Sequence, residues 1–221
     1  MSSRKDQPPD RMSHPARKPR HTYHHGDLRE ALIQAALDEA EQGGPEAISI
    51  KALAKTLGVS QPAPYRHFAD REALLVAVTA EAFRQFNTTL RDALVTSSRR
   101  SKLSRLAQAA LVFGLQRSGI YRLMFASQTM ACAAENSDLH IASRETLALV
   151  KDALDAPVAE RVRERHALQI WAALHGIVML AQQGLLTGKS INVSREQLVE
   201  DMVAQTLLSL QTAAKDEAVR R

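Results

Sequence analysis

The stretch "LGVSQPAPYRHF", Leu57 to Phe68, decides how this chain is read. It follows "ISIKALAKT", a short segment that Ser49 can cap and whose Leu53, Ala54 and Leu57 point inward. Gly58 then stands where a left-handed residue closes a helix. A helix, a tight Gly58-Val59-Ser60 turn and a second helix follow from that order. Pro62 and Pro64 fall inside the second helix, and a proline in a helix interior costs about 3 kcal/mol, because it deletes a hydrogen bond and collides with the preceding turn. At the first helical positions the N–H is unpaired anyway, so the prolines mark a helix start. With Gln61 as cap, Pro64 stays within the zone of free N–H groups; with Ser60 as cap it lies just past it and removes one bond. Gln61 is the better fit.

Outward from this stretch, apolar residues recur at three and four, and no segment alternates with the period of two that a sheet needs. The fold is expected to be all-α. Asp27 as cap and Glu30 three residues later form a capping box for a first helix, with Leu28, Leu32, Ala35 and Ala36 inside and Gly43-Gly44 at its end. Asp70 caps a helix striped with Leu74, Leu75, Val78, Ala82, Phe83, Phe86 and Leu90. "TSSRRSK" reads as a loop; beyond it "LSRLAQAALVFGL", "IYRLMF", a segment near Asp138 to Leu154 and the long run Val158 to Leu186 are helical by period. Ser194 and Gln197 form a second capping box before the last helix. The organisation is a disordered basic arm (1–22), a three-helix helix-turn-helix unit (23–70), a connecting helix (71–96), a larger helical bundle (97–214) and a short tail (215–221).

Composition narrows the function classes. The 221 residues are 45% hydrophobic, enough for a sizeable core, and the formal charge of +5 suits a nucleic-acid partner without demanding one. Cys132 is the only cysteine, so no intrachain disulfide forms and no multi-thiolate zinc site exists, which points to a reducing cytoplasm. The N-terminal arm lacks the apolar core of a signal peptide, and the longest apolar run, Ala167 to Leu186, is broken by Gln169, His175, Gln182 and Gln183. A soluble protein without a membrane span is expected. His21, His24 and His25 have no carboxylate or thiol at a matching offset, so neither metal nor cofactor is expected. A glycine-rich phosphate loop, an HExxH and a nucleophile elbow are all missing, which argues against an enzyme.

The short proline-opened helix carries chemistry that suits a DNA groove. Gln61 pairs with adenine edges, Ala63 and Pro62 touch a thymine methyl, Tyr65 and Arg66 bring a phenol and a guanidinium, and His67 reaches a phosphate. Ser49, Lys51, Ser60 and Arg71 flank it at helix starts and turns, where free N–H groups and cations hold a phosphate backbone. Tyr23 and His24 belong with the basic arm, to phosphates or the minor groove. Each residue alone is explained as well by packing around Phe68 or by a solvated face; the ordered set is more specific than its members.

These residues also carry a family resemblance. "YHHGDLREALIQAALDEAEQGG" with "ISIKALAKTLGVSQPAPYRHFADREALLVAV", about Tyr23 to Val78, closely resembles the DNA-binding domain of TetR/AcrR-type transcriptional regulators. The resemblance implies a homodimeric, all-α regulator, most often a repressor, released from a pseudo-palindromic operator by a small-molecule effector that binds its larger C-terminal domain. Carried over by position, the family's base and phosphate contacts fall on Lys51, Gln61, Pro62, Ala63, Tyr65, Arg66, His67 and Arg71. Pro64 departs from the pattern, where many relatives have an aliphatic residue, and this bears on the pitch of the recognition helix. Trp171, His175 and Gly176 in "WAALHG" resemble the tryptophan-histidine-glycine signature of one C-terminal subfamily.

In the C-terminal half, the helix containing Trp171 is apolar on more than one side: Leu168, Trp171, Ala172 and Met179 on one, Ile170, Ala173, Leu174, Ile177, Val178, Ala181 and Leu185 on the others. Such a helix needs two partners, its own domain and a second subunit, and with the last helix it would form a four-helix dimer interface that Gly176 lets close tightly. His175 lies one turn after Trp171, so both face one way. They are expected to line an effector pocket with Phe83, Phe113, Met124, Phe125 and Met179, the imidazole being the polar group in an apolar wall. The plainer alternative is a satisfied core histidine beside a packed tryptophan. Cys132, among alanines and methionines, reads as a small buried hydrophobe rather than a redox sensor.

Overall fold

The computed structural model describes residues 25–126, 133–186 and 192–219, with side chains from Leu28 onward. Among these residues there are eight α-helices and no strand. In chain order they are α1 His25–Gly43, α2 Ile50–Thr56, α3 Arg71–Val95, α4 Lys102–Gln116, α5 Ser118–Met124, α6 Asp138–Ala153, α7 Glu160–Gln182 and α8 Arg195–Val219. Single 3-10 turns cover Pro45–Ala47 and Pro64–Arg66.

Five of the helix starts follow one rule, in which a side-chain oxygen accepts a backbone N–H three residues on that the helix leaves unpaired. Ser49 accepts from Ala52, Asp70 from Ala73 at 2.8 Å, Ser101 from Ser104, Ser137 from His140 and Ser194 from Gln197. Two expectations need correction. α1 opens at His25, so Asp27 lies in its first turn and not at the cap. At Ser194 only half of the capping box forms: the Gln197 N–H donates to the Ser194 hydroxyl, while the Gln197 side chain turns forward, its NH2 donating to Asp201 at 2.9 Å.

One buried apolar core runs from Leu28 on α1 to Leu210 on α8. α3 is its spine: it packs on α1 near its start and against α4 and α6 along its length, while α8 covers α4 and α7. Between α3 and α6 a polar link is sealed inside, with Thr146 donating to Asn87 Oδ1 at 2.6 Å and Asn87 donating to the Ala142 carbonyl at 2.8 Å. Satisfied buried polar groups fix the register of two helices more tightly than apolar contact does. On α7 the inward face is His166, Ala167, Ile170, Leu174, Val178 and Ala181, leaving Leu168, Ala172, Ala173 and Leu180 open. Ala173 therefore shares the open side with Leu168 and Ala172, not the side assigned to it from periodicity. No helix of the described residues is long and apolar enough to cross a membrane.

Candidate nucleic-acid interface and effector chamber

The end of α2 sets the geometry of the next segment. Gly58 has φ +67°, its N–H donates to the Lys55 carbonyl, and the Val59 N–H reaches back to Ala54 at 3.0 Å. This pair of bonds is a Schellman closure, which reverses the chain within two residues. Sequence reasoning expected an α-helix from Pro62 to Phe68, capped by Gln61. Instead, Ser60 takes the first carbonyl position by accepting from Ala63 at 2.9 Å, and a 3-10 turn over Pro64–Arg66 follows. The prolines account for the difference. An α-helix would bond the N–H of residue 64 to the Ser60 carbonyl, Pro64 has no N–H, and the carbonyl turns to residue 63 instead. The helical pitch returns only at Phe68, whose N–H reaches the Pro64 carbonyl at 3.0 Å.

Pro64 and Phe68 are buried and act as two anchors, and the guanidinium of Arg29 covers the Phe68 ring at 5.4 Å. Between and before them Ser60, Gln61, Pro62, Tyr65 and Arg66 are exposed, with Ala63 and His67 half-buried. Tyr65 leaves 56% of its surface in water, although a ring of that size gains from being covered. Ser49 and Lys51 are exposed at the start of α2. The Ser49 hydroxyl is occupied as a cap and its N–H donates to Glu39. Arg71 does more than stand at a helix start: its Nε donates to the Ile48 carbonyl and its Nη2 to the Pro45 carbonyl, both at 3.0 Å. It fastens α3 to the connection between α1 and α2. Tyr23, His24 and Cys132 lie outside the described residues.

Of the expected pocket residues, Phe83, Phe113 and Met124 are buried in the core, while Phe125, Trp171, His175 and Met179 are half-buried. Phe83 meets Phe125 edge-on at 5.9 Å, and Phe125 in turn touches Trp171 at 6.5 Å and His175 at 4.3 Å. The missing member is Tyr121, which stacks on His175 and shares a hydrogen bond of 3.2 Å between its Oη and the imidazole Nδ1. Its spacing of four before Phe125 is a sequence signal that places both on one side of the helix. Burial holds the His175 imidazole below the usual histidine range and pushes the Tyr121 hydroxyl up, so both are neutral near pH 7. Behind Trp171, between α3, α4, α6 and α7, lies a crevice lined by Phe86, Leu90, Leu106, Val150 and Leu174 among others. Its cavity volume is about 20 Å³, room for roughly a single water.

The helix that carries Tyr121 packs directly on the first helix. α5, which carries Tyr121, lies so close to α1 that a Cβ on Gly119 would stand 2.1 Å from the Ala40 carbonyl oxygen. The Glu41 carboxylate accepts the Ile120 N–H at 3.3 Å and pairs with Arg117 at 3.6 Å. Among the described residues no group of three or more histidine, cysteine or acidic side chains is placed to hold a metal ion.

Two family models match this chain: bacterial regulatory proteins of the tetR family over residues 32–78, and the tetracyclin repressor-like C-terminal domain over residues 103–206. The chain is 26% identical over 176 residues to an uncharacterized HTH-type transcriptional regulator of Mycobacterium tuberculosis, covering 79% of this chain and 78% of that one. It is 46% identical over 61 residues to the class C tetracycline repressor of Escherichia coli, a match spanning 28% of this chain and 27% of the repressor. A solved structure of a protein with unknown function from Rhodococcus sp. RHA1 superposes with a TM-score of 0.70 at 26% identity, over 87% of this chain and 99% of that one.

Proposed function

Because this chain belongs to the TetR family of DNA-binding transcriptional regulators, with two family models taking up more than half of its length, we propose that it works as a homodimeric repressor that a small-molecule effector releases from a pseudo-palindromic operator. It is read as a cytoplasmic regulator and not an enzyme. The observation that carries the reading is the Ser60–His67 segment: polar and aromatic side chains are held outward on a short turn that buried Pro64 and Phe68 keep rigid. Base edges are discriminated by side chains in a fixed pose, and a stiff turn provides one without the entropy cost of ordering it at the moment of binding. Gln61, Pro62, Ala63, Tyr65 and Arg66 are assigned to the bases. Ser49, Lys51, Ser60, His67 and Arg71, with Tyr23 and His24 of the arm, are assigned to the backbone on either side.

Dimerisation through the open faces of α7 and α8 would place two such turns about 34–36 Å apart or a multiple of it, the repeat of the duplex. The division of labour is a reading unit over 23–70, the connecting helix 71–96 and an effector and dimer unit over 97–214. The tryptophan-histidine-glycine subtype of that unit rests on the residues of "WAALHG" themselves, with Trp171 and His175 both meeting Phe125. An effector can shift the spacing only by binding one dimer conformation more tightly than the other, and the α5 contact with α1 is the element through which a change at Tyr121 reaches the DNA-binding unit. Selection of bound sequences from a random DNA pool tests the proposal. Enrichment of an inverted repeat, with affinity falling steeply as salt rises, is expected; a strictly monomeric protein that enriches nothing at low ionic strength overturns it.

A further inference from the structure

The chamber has a chemical asymmetry that names a ligand class. The crevice is hydrocarbon along its length, and the hydroxyl of Thr146, its one polar side chain besides the indole, is already spent on Asn87. Polar atoms stand beside it at the Tyr121–His175 pair, and Trp171 belongs to both regions, lining the crevice and touching Phe125, which touches His175. Imidazole nitrogen accepts more strongly than a phenol oxygen, so the Tyr121 hydroxyl donates to Nδ1 and the proton of the ring sits on Nε2. That N–H has no partner among the described residues. None of the side chains that line the crevice or stack around Phe125 carries a formal charge. A charged head here would lose its hydration with no counter-ion to replace it, whereas a neutral acceptor exchanges one water bond for one imidazole bond.

Resting on the effector reading above, we propose that the ligand of this chamber is an uncharged amphipath: a neutral hydrogen-bond-accepting head, such as an ester, lactone or amide carbonyl, placed on His175, with an apolar tail that wedges open the crevice beside Trp171. The crevice is narrow and lies between α3, α4, α6 and α7, so a tail that enters it is expected to move these helices apart. Opening a dry, collapsed space is favourable only for an apolar group, which regains on entry the contacts that water cannot make.

Trp171 is the only tryptophan of the chain, so its emission reports occupancy of this site. The test is a titration of the full-length protein with methyl decanoate, decanoate and decyltrimethylammonium, three probes with similar tails and different head charge, each below its micellar concentration at pH 8. Methyl decanoate is expected to change Trp171 emission saturably and to bind at least about tenfold more tightly than either charged probe, since desolvating an unpaired charge costs far more than the roughly 1.4 kcal/mol of a tenfold difference. His175→Phe is expected to weaken methyl decanoate by about three- to tenfold, the loss of one net hydrogen bond, while leaving the charged probes unchanged. Equal or tighter binding of a charged probe, or no saturable change with any of them, overturns the proposal. Operator binding is measured separately without probe, so rejection of the ligand class with an intact protein–DNA complex leaves the regulator reading standing.

Discussion

At the scale of single residues, exposure separates two groups that the sequence placed together. Tyr65 rests mostly in water and supports nothing in the core, so Tyr65→Ala is expected to change stability by less than about 0.5 kcal/mol and to cost operator binding about 1–3 kcal/mol. Arg71 is the converse. Its two bonds to the Pro45 and Ile48 carbonyls tie α3 to the α1–α2 connection, and bonds from a charged donor are worth about 1.5–3 kcal/mol when buried and less at a partly exposed site. Arg71→Ala is expected to lower the melting temperature by several degrees in the absence of DNA; a melt identical to wild type would leave Arg71 as a phosphate ligand alone. His175 gives a pH test. Above the ordinary histidine value, near 6.5, the ring is neutral in folded and unfolded chains alike. As pH falls through that value the unfolded chain takes up a proton that the half-buried ring resists, so the folded state loses stability. Urea titrations at pH 8 and pH 5.5 are expected to show a smaller loss for His175→Gln than for wild type, the other histidines contributing equally to both.

At the scale of elements, the helix start after α2 and the contact of α5 with α1 are decided by what a residue lacks. Pro64 lacks an N–H, and the segment after α2 becomes a turn of 3-10 pitch. Gly119 lacks a Cβ, and α5 lies against the backbone of α1 at Ala40 and Glu41. Backbone cannot move aside as the tip of a side chain can, so Gly119→Ala must displace one of the two helices. Its expected cost is about 3 kcal/mol, the upper part of the range for overpacked sites, read as a drop in the urea midpoint. Because α5 also carries Tyr121, the same substitution is expected to uncouple ligand binding at Trp171 from release of DNA. An unchanged midpoint would mean that α5 does not press on α1 as described.

At the scale of the whole molecule, apolar side chains stay open on α7 and α8. α7 shows Leu168, Ala172, Ala173 and Leu180 outward, and α8 leaves Leu208 65% exposed. Under the homodimer proposed above, these small and apolar side chains on two adjacent helices are the ones a second copy would cover. Leu208→Asp touches no part of the core, so the chain is expected to keep its helical circular dichroism while sedimenting as a monomer and losing tight operator binding. A dimer of unaltered affinity in this variant would place the interface elsewhere.

What the sequence determined by itself was much of what neighbours within about one helical turn govern, though not the start of α1, which lies at His25 rather than after an Asp27 cap. The all-α class, the caps at Ser49, Asp70 and Ser194 and the turn at Gly58 follow from spacing and backbone chemistry, which act over three or four residues, whereas the exposure of Tyr65 did not. Pro64 was legible as a disturbance, but its outcome rested on which carbonyl Ser60 could turn to and on the burial that holds Phe68 in place. Tertiary structure alone decided that Phe113 and Met124 are packed core, that Arg71 is a tie, that Tyr121 completes the polar pair, and that a crevice lies behind Trp171. An aliphatic wall and an aliphatic core have the same composition and the same period. They differ only in whether helices distant in sequence leave a gap between them, and that distance is set by the packing of the whole bundle.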